Sequence, residues 1–201
     1  GRYRQHQQFG VEAFGIAEPE QDVECILLQM DFYRRCGVKD LALRINSLGD
    51  RESKQRYRDE LVKFLSPKKA SLSEDSQRRL ESNPLRILDS KDPRDVEAVK
   101  GAPPAVESLS DKSRAHFERV QELLRLAPSP GTPGEGWGEG SVSSADNSAN
   151  QQNPHPTLSR STGRGTDGGV PFTVDGSLVR GFDYYTDTLW EVTARGLGSQ
   201  N

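Results

Sequence analysis

Cysteine is scarce. The 201-residue chain has two, Cys25 and Cys36, about three turns apart on one expected helix and so too far from each other for a disulfide. Neither stands at a metal-ligand spacing, and both read as reduced, buried thiols of a reducing compartment. Long apolar runs are missing as well. Nothing approaches the roughly 18 consecutive apolar residues of a membrane span, and no basic segment leads into an apolar stretch as a secretion signal would. A cytoplasmic protein is expected, and Gly1 in place of an initiator Met leads us to expect a chain that starts inside a longer protein. Neither sign of charge is in excess: 27 Lys and Arg against 30 Asp and Glu leave a net charge of −3. That balance excludes a nucleic-acid binder held by overall charge, but leaves room for an enzyme that handles nucleic acid through one local patch.

Apolar residues nearly run out between residues 128 and 169, where Gly, Pro and Ser make up about half of the positions and only Trp137, Val142, Ala145, Ala149 and Leu158 are apolar. Such a composition cannot bury enough surface to offset its ordering entropy, so this stretch is expected to be a disordered insertion joining two parts of one domain. Without it, about 159 residues remain, enough for one modest core.

Periodicity assigns the rest. Alternation over residues 2–14 predicts a strand, with Tyr3, Phe9, Val11 and Ala13 on one face and Arg2, Arg4, His6, Gln8, Gly10 and Glu12 on the other. A helix follows over 20–35, stopped by Gly37, and then Leu41, Leu43 and Ile45 alternate as a second strand that ends in the turn Asn46-Ser47-Leu48-Gly49-Asp50. From residue 50 to 126 the period is helical. Helices are expected at 51–65, at 72–82 behind a Ser71-x-x-Glu74 capping box, at 93–100 behind Asp92, and at 111–126 behind Ser110. Strand character returns at 171–174 and 186–193. The fold class is therefore α+β, an antiparallel sheet interrupted by a helical subdomain and by a disordered loop.

Two constellations could carry chemistry. Arg4, Gln8 and Glu12 repeat every four residues and project from one side of the first strand at intervals of about 13 Å. Gly10 between the last two lets a ligand approach the backbone, while Gln and Glu offer an amide and an anion to a polar, cationic substrate. A solvated edge face would explain the same charges, though not the glycine. The second constellation is Leu178-Val179-Arg180-Gly181-Phe182-Asp183-Tyr184-Tyr185. An arginine among apolar residues is either paired to a carboxylate or aimed at an anionic ligand, and in an extended segment Tyr184 and Tyr185 point to opposite sides. Other signals are weaker. His116 and His155 have no partner at ligand or triad spacing, and Lys68, Lys69, Arg51, Arg56 and Arg58 read as a solvated helix face.

The segment Gly-Arg-Tyr-Arg-Gln-His-Gln-Gln-Phe-Gly-Val-Glu at 1–12, the turn at 46–50, Asn83-Pro84-Leu85-Arg86-Ile87-Leu88-Asp89-Ser90-Lys91, and residues 178–185 together resemble histidyl-tRNA synthetases, in order and in interval. The first resembles the distal half of the second signature motif of class II synthetases, and the last the family's histidine-specific arginine motif. The resemblance implies a catalytic-sheet part at 1–49, a helical insertion at 50–127 that embraces the tRNA acceptor arm, the insertion at 128–169, and a return to the sheet at 170–201. It implies ATP-dependent ligation of histidine to its tRNA through histidyl-adenylate, with Mg²⁺ accompanying ATP and no resident metal. Gln8 and Glu12 would hold the substrate histidine, Glu12 near its α-ammonium. Arg180 would bridge the histidine carboxylate and the α-phosphate as the catalytic residue, Tyr184 and Tyr185 would line the imidazole site, and Arg2 and Arg4 would meet ATP and the acceptor end.

The sequence departs from the family pattern in places. His6-Gln7 stands where the family usually has Phe-His, and residues 128–169 fill what is normally a short connection. The chain opens inside the second motif and ends before the third, so this piece alone is expected to be inactive, and the homodimer expected of the complete protein would form through elements outside it. Two alternatives share the fold: the synthetase-like regulatory subunit of ATP phosphoribosyltransferase, which lacks the helical insertion and the arginine motif, and an inactive remnant.

Overall fold

The computed structural model describes residue 5 and residues 7–128, 169–179 and 185–194. Helix α1 (Pro19–Arg35) begins on a proline whose fixed φ suits the first turn, carries Glu20 and Asp22 at its positive end and Arg34 and Arg35 at its negative end. Gly37, at φ +79°, stops it as expected, letting the amides of Gly37 and Val38 turn back onto the carbonyls of Arg34 and Tyr33. Strand β1 (Leu41–Ser47) follows. Helix α2 (Arg51–Leu65) is capped by Asp50, which accepts from the Ser53 amide at 2.8 Å. Beyond it, the proline at 67 cannot continue the α-helical ladder, and the chain tightens into the 3-10 helix Ser66–Ser71.

Helix α3 (Glu74–Ser82) corrects one expected boundary. Its cap is Ser73, which accepts from the Ser76 amide at 3.2 Å, whereas the Ser71 hydroxyl donates back to the Lys68 carbonyl. Helix α4 (Leu85–Leu88) is four residues long, too short to leave a periodic signal. Helices α5 (Pro93–Ala98) and α6 (Asp111–Leu126) start behind Asp92 and Ser110 as expected. The last strands are β2 (Phe172–Val174) and β3 (Thr188–Ala194).

The α+β class holds, and the sheet is mixed, in the order β2-β1-β3. Strand β3 lies antiparallel to β1, from Leu41 opposite Ala194 to Ser47 opposite Thr188, while β2 lies parallel to it, from Leu43 opposite Phe172 to Ile45 opposite Val174. Antiparallel pairing was expected throughout. Parallel pairing needs a long crossover, and the helices between β1 and β2 supply one.

Two cores result. Leu43 and Ile45 face α1 and α6, where Ile26, Met30, Val120 and Leu124 are almost wholly buried with them. The second core gathers Tyr57, Leu61 and Leu65 of α2 with Leu72, Leu80 and Ile87, and it takes in Leu48, Leu178, Val179 and Leu189 from the ends of the sheet region. Inside it, Asp95 has no exposed surface and accepts from the Ser73 amide and from the hydroxyls of Ser73, Ser76 and Ser90 at 2.6–2.8 Å. Burial pushes its carboxyl up, but these four donors win and hold it down at about 2.

Three expectations change. Residues 7–14 enter no ladder among the described residues; alternation makes a strand only where a neighbouring strand takes its hydrogen bonds. They form an arm whose Phe9 ring stacks on Phe32 of α1, with centroids 5.3 Å apart. Cys36 is exposed and Cys25 half-buried, since Cys36 sits at the solvent-facing C-cap of α1. His116 has a partner after all, Asp22 on α1, at 2.8 Å; the pair ties α1 to α6 across 94 residues of sequence. The expectation of disorder for 128–169 lies outside the described residues, but its flanks meet. The Val170 amide donates to the Leu124 carbonyl at 2.9 Å, and a Cβ at Gly169 would collide with the Arg125 carbonyl.

Candidate functional site

Alternation along β1 sends Leu43 and Ile45 into the helices and leaves Ala42, Arg44 and Asn46 on the opposite face, beside Thr193, Glu191 and Leu189 of β3. Arg44 is the centre of this polar face. Its Nε donates to Asp175 Oδ2 at 2.7 Å, a second guanidinium nitrogen reaches the same oxygen, and Nη1 donates to Glu191 Oε2 at 3.1 Å. Asp175 follows β2 and also accepts from the amide and hydroxyl of Ser177 at 2.9 and 2.6 Å. Burial works to raise its carboxyl, and the Ser177 hydroxyl and Arg44 outweigh burial to hold it below the usual range. A carboxylate fixed this way turns the chain off β2 and across the end of β1, where the Leu178 amide donates to the Asp175 carbonyl at 3.0 Å.

At that end Asn46, fully buried, donates from Nδ2 to the Leu178 carbonyl at 2.9 Å. The turn beyond it is drawn tight by Gly49, whose φ of +66° suits a residue without Cβ; an added Cβ would lie 2.6 Å from both Leu109 Cδ2 and Ser53 Cβ. Asp50 then joins two helix starts. It caps α2, accepts from the Ser110 hydroxyl at 2.7 Å, and donates from its own amide to the Ser113 hydroxyl oxygen at 3.0 Å. The Ser53 amide, the Ser110 hydroxyl and the Ser53 hydroxyl hold its carboxyl down at about 2. The knot reaches β3 through Asp187, which accepts from the Ser113 hydroxyl at 3.2 Å.

Of the residues expected to bind substrate, Gln8 and Glu12 are exposed on the arm and make no hydrogen bond among the described residues. Tyr185 is 37% exposed, and its carbonyl accepts from Lys54 Nζ at 3.2 Å. Arg2, Arg4, Arg180 and Tyr184 lie outside the described residues. The first two residues of the arginine motif are buried, with Leu178 and Val179 each 3% exposed. Sequence reasoning missed the Arg44 cluster and the Asn46 contact; a charged and an amide residue on the back of an otherwise buried strand were the available signal.

A hollow of about 560 Å³ between Ser66–Ser71 and α5 is lined by Lys68, Ser71, Pro93, Arg94, Glu97 and Ala98. Its cations are already engaged, Lys68 by the Ala98 carbonyl and Arg94 by Asp92. Among the described residues no three His, Cys, Asp or Glu side chains are placed to hold a metal ion, and no helix is long and apolar enough to cross a membrane.

No protein-family model matches the chain. Curated relatives do. Histidine–tRNA ligase from Thermosynechococcus vestitus is 40% identical over 200 residues, covering all of this chain and 37% of the ligase. The ligase from Acholeplasma laidlawii is 39% identical over 203 residues, 39% of its length, and that from Sorangium cellulosum is 41% identical over 203 residues, 38% of its length. The crystal structure of apo histidyl-tRNA synthetase from S. aureus superposes with a TM-score of 0.55 at 29% identity, covering 89% of this chain and 32% of that one. The resemblance carried by the four motifs thus extends over the whole chain, which is similar throughout to part of histidine–tRNA ligases and spans a little over a third of the length of those it matches.

Proposed function

We propose that the complete protein containing this chain ligates histidine to its tRNA. In the first step a carboxylate oxygen of histidine attacks the α-phosphorus of ATP, the bond to the β-phosphate oxygen breaks, and pyrophosphate leaves. In the second a hydroxyl of the tRNA 3′-terminal ribose attacks the acyl carbon and AMP leaves. The observation that carries this reading is the 40% identity over the full chain to a histidine–tRNA ligase.

In this reading Glu12 pairs with the α-ammonium of histidine and Gln8 supplies an amide beside it. Both side chains are exposed and make no hydrogen bond among the described residues, as groups awaiting a ligand would. Arg180 bridges the histidine carboxylate and the α-phosphate, where a guanidinium fork stabilises charge that grows in the transition state. Tyr184 and Tyr185 line the imidazole site, and Arg2 and Arg4 meet ATP and the acceptor end. The helices between β1 and β2 form the insertion that contacts the tRNA acceptor arm. Mg²⁺ comes with ATP and neutralises phosphate charge; the described residues present no cluster of their own for it. The complete protein is a cytoplasmic homodimer in this reading.

Histidine-dependent ATP–pyrophosphate exchange on the complete protein is the test, run beside Arg180→Ala. Exchange that disappears in the variant supports adenylate formation with Arg180 at the reacting phosphate. Histidine binding without exchange in the wild type would favour the regulatory-subunit alternative, and neither binding nor exchange would make it a remnant.

A further inference from the structure

The turn that closes β1 and the first turn of α2 grip the chain before and after residues 180–184. On the leading side is Asn46, whose amide donates to the Leu178 carbonyl at 2.9 Å. On the trailing side the Leu48 amide donates to the Asp187 carbonyl at 3.0 Å and the Asp187 amide to the Gly49 carbonyl at 2.8 Å. One turn into α2, Lys54 Nζ donates to the Tyr185 carbonyl at 3.2 Å. Asp187 itself sits at φ +52°, a conformation that a non-glycine residue keeps only when its surroundings impose it.

Asn46 is the informative member. It has no exposed surface, its Nδ2 is spent on Leu178, and its Oδ1 has no hydrogen-bond partner among the described residues. A buried acceptor left unpaired is a cost that an apolar side chain would not carry. The side chain is therefore accounted for by its donor, which satisfies a main-chain carbonyl 132 residues away. We propose that Asn46 is a positioning residue for adenylate formation: it fixes the main chain at Leu178, two residues ahead of Arg180, while the rest of the turn and Lys54 fix the chain at Tyr185 and Asp187. This rests on the reading of residues 178–185 given above. It assigns to the turn a role in holding the reactive arginine in register, in addition to closing a strand.

The test uses the complete protein and compares wild type with Asn46→Leu and Asn46→Asp, both of which remove the donor. Pyrophosphate exchange is measured per active site, by titrating the adenylate burst, with the melting temperature recorded alongside. Misplacing a reactive group by an ångström is costly, so kcat per active site should fall about tenfold or more while KM for ATP stays within about twofold. A purely structural role would lower the number of active sites and leave kcat per site intact, and that result overturns the proposal. If neither variant folds, Lys54→Met at the half-exposed trailing side decides: a fall of about threefold or more in kcat per site supports the clasp, and an unchanged kcat overturns it. A wild-type protein that exchanges nothing refutes the functional reading as well, whereas normal exchange in wild type and variants alike refutes the positioning role alone.

Discussion

The arm at residues 7–18 and the turn at residues 46–50 hold opposite kinds of residue. On the arm, Phe9, Val11, Phe14 and Ile16 are at least half exposed, and Gln8 and Glu12 make no hydrogen bonds among the described residues. In the turn, Asn46, Ser47, Leu48 and Gly49 are buried, and Asp50 joins two helix caps. The difference separates two tasks. In the proposed reading, the groups that would bind a ligand make no hydrogen bonds among the described residues, while the turn's residues are held by contacts within the protein. The arm should therefore tolerate substitution without loss of stability and lose binding, and the turn should do the reverse.

The largest effect expected is at Gly49. Ala there would force a positive φ on a residue with a Cβ and drive that atom to 2.6 Å from Leu109 and Ser53. Strain and overpacking together should cost about 3 kcal/mol of unfolding free energy in a urea titration. A Gly49→Ala protein as stable as wild type would mean that the turn is not the rigid element described.

Asp95 gives the next effect. Its folded value of about 2 lies below the ordinary 3.8, so the unfolded state binds the proton first on acidification. Its contribution is fully present above pH ~4 and lost as pH falls towards 2, a difference of about 2 kcal/mol. Melting temperature should hold from pH 7 to 5, drop steeply below 4, and drop less steeply in Asp95→Asn, which starts from lower stability. Equal acid slopes in both proteins would show that the serine cage contributes nothing through the charge.

A smaller effect is expected at the insertion. The Leu124 carbonyl and the Val170 amide are already 2.9 Å apart, so replacing residues 129–168 by five Gly and Ser residues removes no contact between the flanks. Shortening the closed loop should, if anything, stabilise, by about 2 kcal/mol at most. The complete protein should melt within a few degrees of wild type, and a large fall would show that the segment contributes to the core.

Much of this architecture was readable in advance, because helix signals are local. Asp50, Asp92 and Ser110 mark their helix starts and Gly37 its stop, each acting within four residues of its own position. The Ser71 cap failed for a local reason, since Ser73 competes two residues away and also reaches Asp95. What could not be read was long-range. The parallel placement of β2, the Arg44–Asp175–Glu191 cluster and the Asn46–Leu178 bond join residues more than 100 positions apart. The arm was misread because alternation reports which face is apolar and says nothing of whether a partner strand is at hand. Of the proposed site, Gln8, Glu12 and Tyr185 were legible as residue types. The contacts of Asn46 and Lys54 with Leu178 and Tyr185 became visible only with the fold.

The smallest change in stability and the clearest change in binding are expected at Glu12, and there one experiment tests the separation directly. Histidine is titrated calorimetrically into the complete protein and its Glu12→Gln variant, with the melting temperature of each taken on the same samples. The account predicts that histidine binding is lost while stability stays within about 0.5 kcal/mol, as for other exposed positions. Undiminished binding, or a loss of binding that comes with a matching loss of stability, would contradict it.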